Sequence, residues 1–231
     1  MQPTNLISQW WQEPDAGDQA LEDSHKEFWD DFIANAIDVD FTNKKILDFG
    51  CNQGGLLLRI YDSMPFKKAV GVDLAEQSIA KAKARSKDLP IEFLALDDLQ
   101  SLDADFEYAI SSAVIYLIED MRKHAAQIYD RLKPGGVYFA WHADYIRDKR
   151  YVATQEAINR YATIKCAQNS VDDIITSFQT AGFKVFVKRM LPPAYIPVPI
   201  REDKRWFSSA LAEIDYWYDH RYVFRCVKPD R

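Results

Sequence analysis

Between residues 45 and 190, short apolar runs alternate with helical stretches, and few folds accommodate that alternation. Lys45–Phe49 and the runs at 69–73, 91–96, 108–111 and 137–141 read as buried strands. The stretches 54–61, 76–86 and 121–132 between them read as helices, the last stopping at Pro134-Gly135-Gly136. Helices follow around 151–165 and over 171–181, where Gly182 ends the second as a C′ glycine would. Strands are expected at 183–190 and 222–227. Strand and helix in strict alternation predict a mostly parallel sheet covered on both faces. The last two strands have no clear helix between them and read as an antiparallel edge. Residues 191–219 form a long excursion before the final strand, extended at first because of Pro192, Pro193, Pro197 and Pro199.

Residues 1–24 are polar and broken by Pro14 and Gly17, yet carry Trp10-Trp11. A helix is expected over 24–37, with Ser24 as N-cap and Glu27 completing a capping box. With 231 residues, 48% of them hydrophobic, the chain suits a single α/β domain: an N-terminal lid at 1–40, a core at 45–190 and an insertion at 191–219. A formal net charge of −6 disfavours nucleic-acid partners. Three scattered cysteines without zinc-ligand spacing suggest reduced thiols. The opening residues lack a signal-peptide pattern and no apolar run reaches spanning length, so a cytoplasmic, membrane-free protein is expected.

The most informative turn follows the first strand: Asp48-Phe-Gly-Cys-Asn-Gln-Gly-Gly55. Gly50 and Gly54 permit positive φ and close approach of a ligand. The helix that follows offers unpaired amides and a positive dipole end. A dinucleotide loop would read G-x-G-x-x-G, whereas this one reads G-x-N-x-G-G from Gly50. Asp48 would repel a pyrophosphate and welcome an ammonium group, which suits an amino-acid-bearing nucleoside better than NAD. Asp73 ends the second strand, where an acid pairs with ribose hydroxyls in doubly wound folds.

These motifs, together with Val70-Gly-Val-Asp-Leu74, Leu96-Asp-Asp98 and Leu132-Lys-Pro-Gly-Gly-Val137, resemble the ordered motifs of class I S-adenosylmethionine-dependent methyltransferases. The resemblance implies a Rossmann-like seven-stranded sheet of order 3-2-1-4-5-7-6, strand seven antiparallel, with S-adenosyl-L-methionine as cofactor. It implies that Gly50, Cys51, Asn52 and Gly54 wrap the methionine part, with Asn52 standing where the family has glycine. Asp48 would support the amino group, Asp73 the ribose and Leu74 the adenine. Asp97 or Asp98, with Leu99 beside them, would hold the adenine edge. Ser111, Ser112 and Ala113 would lie near the sulfonium.

The acceptor side is less defined. His142 and Tyr116 follow strands five and four and are the candidate catalytic residues, His142 as a base near neutral pH. Trp11 and Trp206 are candidates, with those two, for gripping the acceptor. There is no Asp/Asn-Pro-Pro-Tyr after strand four, no Pro-Cys nucleophile, and no acid cluster beside Asp144 to hold magnesium, so no metal is expected. A small-molecule acceptor is the reading that remains. A protein that binds the cofactor without catalysis and a nicotinamide-dependent oxidoreductase are the alternatives; the missing G-x-G-x-x-G counts against the second.

Overall fold

The computed structural model describes residues 5–13, 22–192, 194–196 and 206–230. Pro14 and Gly17, and the excursion's Pro193, Pro197 and Pro199, lie outside these residues.

Helix α1 (Lys26–Asn35) precedes a regular alternation: β1 (Lys45–Phe49), α2 (Gly55–Ser63), β2 (Lys68–Asp73), α3 (Glu76–Arg85), β3 (Ile91–Ala95) and β4 (Phe106–Ser112). There follow α4 (Met121–Arg131), β5 (Leu132–Ala143), α5 (Val152–Tyr161), α6 (Val171–Thr180), β6 (Lys184–Arg189), α7 (Ala210–Asp219) and β7 (Arg221–Val227). The strands form one sheet of order β3-β2-β1-β4-β5-β7-β6. Neighbours from β3 to β5 pair in parallel, and β7 runs antiparallel to both β5 and β6. This is the order and direction that the sequence motifs imply.

Successive strand residues face opposite sides, and both sides are covered along the central strands, whereas the edge strand β6 is largely exposed. Ile46, Phe139 and Trp141 pack with Phe32 of α1 and Leu57 and Ile60 of α2. Leu47, Tyr138 and Ala140 pack on the other face with Ala125 and Ile128 of α4 and Phe178 of α6. Each fully buried side chain of this size contributes about 1.5–3 kcal/mol.

Three local readings are corrected. Helix α1 starts after His25, which has no side-chain cap hydrogen bond, so the expected Ser24–Glu27 capping box does not form. A capping box does open α6, where Ser170 accepts from the Asp173 amide and Asp173 accepts from the Ser170 amide. Pro134-Gly135-Gly136 is a bulge inside β5 rather than a turn before it. The register shifts opposite Phe106 and Tyr108, Gly135 takes φ +75°, and its amide bonds to the Lys228 carbonyl. Finally, the excursion contains helix α7, capped by Ser209, whose side chain accepts from the Ala212 amide. Its buried Tyr216 and half-buried Trp217 form the inner face of that helix.

Candidate functional site

Parallel strands that diverge to opposite sides of a sheet leave a crevice at their carboxyl ends. Here β1 leads to α2 on one face and β4 to α4 on the other, and a cleft of about 280 Å³ opens between them. Its floor is the ends of three strands: Asp48 and Phe49, Val72 and Asp73, and Ser112.

The β1–α2 turn forms because its residues tolerate left-handed backbone. Gly50, Asn52 and Gly54 have φ of +77°, +47° and +78°. A Cβ on Gly50 would lie 2.4 Å from Val114 Cγ2, and one on Gly54 would lie 2.4 Å from Phe93. Asn is the residue after glycine best suited to this region, so the departure at Asn52 keeps the turn. Asp73 ties the turn down: one oxygen accepts the Asn52 amide at 2.9 Å and the other the Ala75 amide at 2.9 Å.

Asp48 sits beneath the turn, 1% exposed, with Oδ2 lacking any hydrogen-bond partner. Burial, with the Asp73 carboxylate nearby, pushes its carboxyl up to about 8. The cleft also carries Asp97 and Asp120 against a single cation, Lys123. An acidic, partly apolar cleft of this kind favours a cationic ligand over a pyrophosphate.

A strap of residues 5–13 crosses the mouth. The Ile7 amide bonds to the Leu74 carbonyl and the Glu76 amide to the Ile7 carbonyl. The Asn5 amide donates to Asp97 Oδ2 at 2.9 Å. At the far end the Thr163 amide bonds to the Trp10 carbonyl, and Trp10 lines the cleft. On one wall stand His25, the N-cap of α1, and Trp29 of α1; on the other stand Lys123, His124 and Gln127 of α4. Burial pushes His25 down to about 4 and His124 down to about 3, so both rings are neutral at pH 7. His124 Nε2 lies 3.0 Å from the Tyr138 hydroxyl.

Of the candidates from the sequence, Asp48, Gly50, Cys51, Asn52, Asp73, Leu74, Asp97, Ser112 and Ala113 line this cleft. The others do not. Gly54 is the α2 N-cap behind the turn. Asp98 bonds to the Gln100 amide at 2.8 Å, and Leu99 is core at 1% exposure. Strand alternation turns Ser111 away from Ser112, and its hydroxyl donates to the Phe49 carbonyl at 3.0 Å. His142 and Tyr116 line a separate crevice of about 10 Å³, room for about one water. His142 is buried opposite Tyr222, burial pushes it down to about 3, and neither ring nitrogen is hydrogen-bonded. A base of that strength is poorly matched to neutral pH. Trp11 is buried against Ile158 and Ala162 and stacks on Trp206 at 6.2 Å, so this pair packs the strap down.

The sequence reading missed His25, Trp29, Lys123, His124 and Gln127. For the α4 residues a signal existed: positions 120, 123, 124 and 127 share one helical face directly after strand four. For α1 none existed, because its approach to the cleft is purely tertiary.

Residues 47–138 match the family model described as a methyltransferase domain. The trans-aconitate 2-methyltransferase of Deinococcus radiodurans is 28% identical over 93 residues, which is 40% of this chain and 35% of that protein. Curated relatives of this kind are spanned over about a third to a half of their length. The whole sheet is matched by a chain of the complex between the Haloferax volcanii Trm112 methyltransferase activator and a proposed methyltransferase. That match has a TM-score of 0.77 and 20% identity and covers 94% of each chain. The chain has the class I methyltransferase fold. A second structure of this fold is Haemonchus contortus phosphoethanolamine N-methyltransferase 2 with phosphomonomethylethanolamine and S-adenosylhomocysteine. It has a TM-score of 0.68 and 20% identity, covering 94% of this chain and 58% of that one. In this methyltransferase fold the matched residues 47–138 contain the turn, Asp73, Asp97 and the Ser112-Ala113 end of β4.

Proposed function

We propose that this chain binds S-adenosylmethionine in the cleft and transfers its methyl group to a small-molecule acceptor. The observation that carries the reading is the acid set of the cleft: Asp48 with an unpartnered buried oxygen, Asp73 at the end of β2 and Asp97 after β3. These fit the cofactor's groups one by one. Asp48 meets the ammonium, Asp73 the ribose hydroxyls and Asp97 the adenine amino group. The Gly50 turn leaves the backbone open beside them.

The cofactor supplies a methyl already activated on a sulfonium. The chain's own task is to bind, orient and exclude water. Trp10 and Trp29 close the cleft with apolar rings, and positioning of this kind supplies about 7–11 kcal/mol in favourable cases. His25 and His124 are the cleft's neutral imidazoles, so an acceptor that is nucleophilic at neutral pH fits it better than one needing a strong base.

Calorimetric titration with S-adenosylhomocysteine, with NAD and NADP in parallel, tests the reading. Micromolar binding of the first alone is expected. Binding of a nicotinamide cofactor instead overturns it. Asp73→Ala should weaken S-adenosylhomocysteine binding about 10- to 100-fold, in keeping with loss of charge-assisted bonds worth about 1.5–3 kcal/mol. Asp73→Asn, which can still accept one backbone amide, is the milder control.

A further inference from the structure

On the side of α1 away from the cofactor cleft lies a second cavity, of about 160 Å³, which no part of the proposed function uses. Helix α1 gives it Phe28 and Asp31, α7 gives Trp217, and the segment after β6 gives Pro192 and Ile196. Ala194 and Tyr195 form its outer wall and are exposed, so it meets solvent there. Its floor is Arg221, the first residue of β7 and fully buried.

Arg221 is held in an unusual way. Its guanidinium carbon lies 4.3 Å from the Trp217 ring centroid and 5.3 Å from that of Phe28. Those rings meet the guanidinium as cation–π partners and accept no hydrogen bond in its plane. In the plane, Nη2 donates to Asp31 Oδ2 at 3.1 Å, and Nε and Nη1 have no hydrogen-bond partner. A guanidinium carries five N–H donors, and burying them unpaired costs about 1–3 kcal/mol per group. Both nitrogens lie just beneath the accessible surface, so a ligand oxygen that displaces the side chains over them would recover that cost.

Charge decides which oxygen. Asp31 already neutralises Arg221, and its other oxygen accepts from Asn35 Nδ2 at 2.6 Å. Glu27 stands at the rim. A carboxylate would therefore leave one net negative charge buried in an apolar pocket, whereas a carbonyl oxygen meets the donors with no net charge buried. The walls are aromatic and aliphatic, and a cavity of about 150 Å³ accepts a benzene ring.

We propose that this pocket binds a small, uncharged aromatic molecule through a carbonyl oxygen directed at Arg221. The site stands whether or not the neighbouring cleft holds S-adenosylmethionine, because it shares only helix α1 with it.

The test is titration of the full chain, without any cofactor analogue, with benzamide and separately with benzoate, read by calorimetry. Benzamide should bind at least tenfold more tightly than benzoate. Arg221→Met should abolish benzamide binding, with near-ultraviolet circular dichroism reporting that the core is intact. Asp31→Asn leaves the guanidinium in place without its counter-charge, and the preference should reverse to benzoate. That reversal also decides the matter if Arg221→Met does not fold. No binding of benzamide by the unaltered chain overturns the site, as does benzamide binding that survives Arg221→Met in a folded protein. A preference for benzoate in the unaltered chain overturns the charge argument.

Discussion

Asp48 is buried beside a second carboxylate, and that environment makes it a reporter. Between about pH 4 and pH 8 the folded protein holds a proton on Asp48 that the unfolded chain would release. Asp48 therefore lowers stability progressively as pH rises across that window. Asp48→Asn removes the ionisation and should raise Tm more at pH 8 than at pH 5, by differential scanning calorimetry. An ammonium arriving beside Asp48 favours the ionised form, so S-adenosylhomocysteine binding should expel a proton at pH 7. Calorimetry in two buffers of different ionisation enthalpy reads that proton directly. Affinity should climb from pH 6 to pH 8 and then level off; a flat profile would show that Asp48 does not face the ligand's charge.

The elements around the cleft owe their positions to a few local rules that are visible in the sequence and a few contacts that are not. The β1–α2 turn was legible because positive φ at residues 50, 52 and 54 demands Gly, Asn and Gly in that order. Gly50→Ala places a Cβ against Val114 as well as forcing an unfavourable φ, and should cost about 1–3 kcal/mol together with the binding of S-adenosylhomocysteine. A thermal melt and a titration check the two effects separately. The capping box of α6 was missed, although Ser170-Val-Asp-Asp173 has the spacing, because Asp stands where Glu or Gln is the usual signal. Ser170→Ala should cost about 1 kcal/mol by urea denaturation, leaving ligand binding unchanged. Helix α7 was hidden for a different reason. Tyr216-Trp217-Tyr218 looks like an aromatic cluster until its partners on α1 and β5 are known. The misplacement of His142 has the same origin: strand alternation could be read, but not which face led to the cleft.

Across the whole molecule, the strap joins parts that the chain keeps far apart. Residues 5–13 pair with the β2–α3 turn at one end and with the end of α5 at the other, with Trp10 over the cleft between them. Trp10→Ala should speed dissociation of S-adenosylhomocysteine, measured by stopped-flow displacement, by about tenfold while leaving the melting transition in place. An unchanged rate would mean that ligand exchange bypasses the strap. The order of the strands has a further consequence, for synthesis. β7 lies between β5 and β6 yet is translated after both. Until it emerges, β5 presents a bare edge, β6 has no partner, and Arg221 is not yet there to meet Asp31. At about 5–20 residues per second, the roughly forty residues from β6 to the end of β7 take about 2–8 s. For those seconds the nascent chain carries the bare edge of β5 and an unpaired β6, and chaperone capture of the growing chain should persist until residues 221–227 are free to pair.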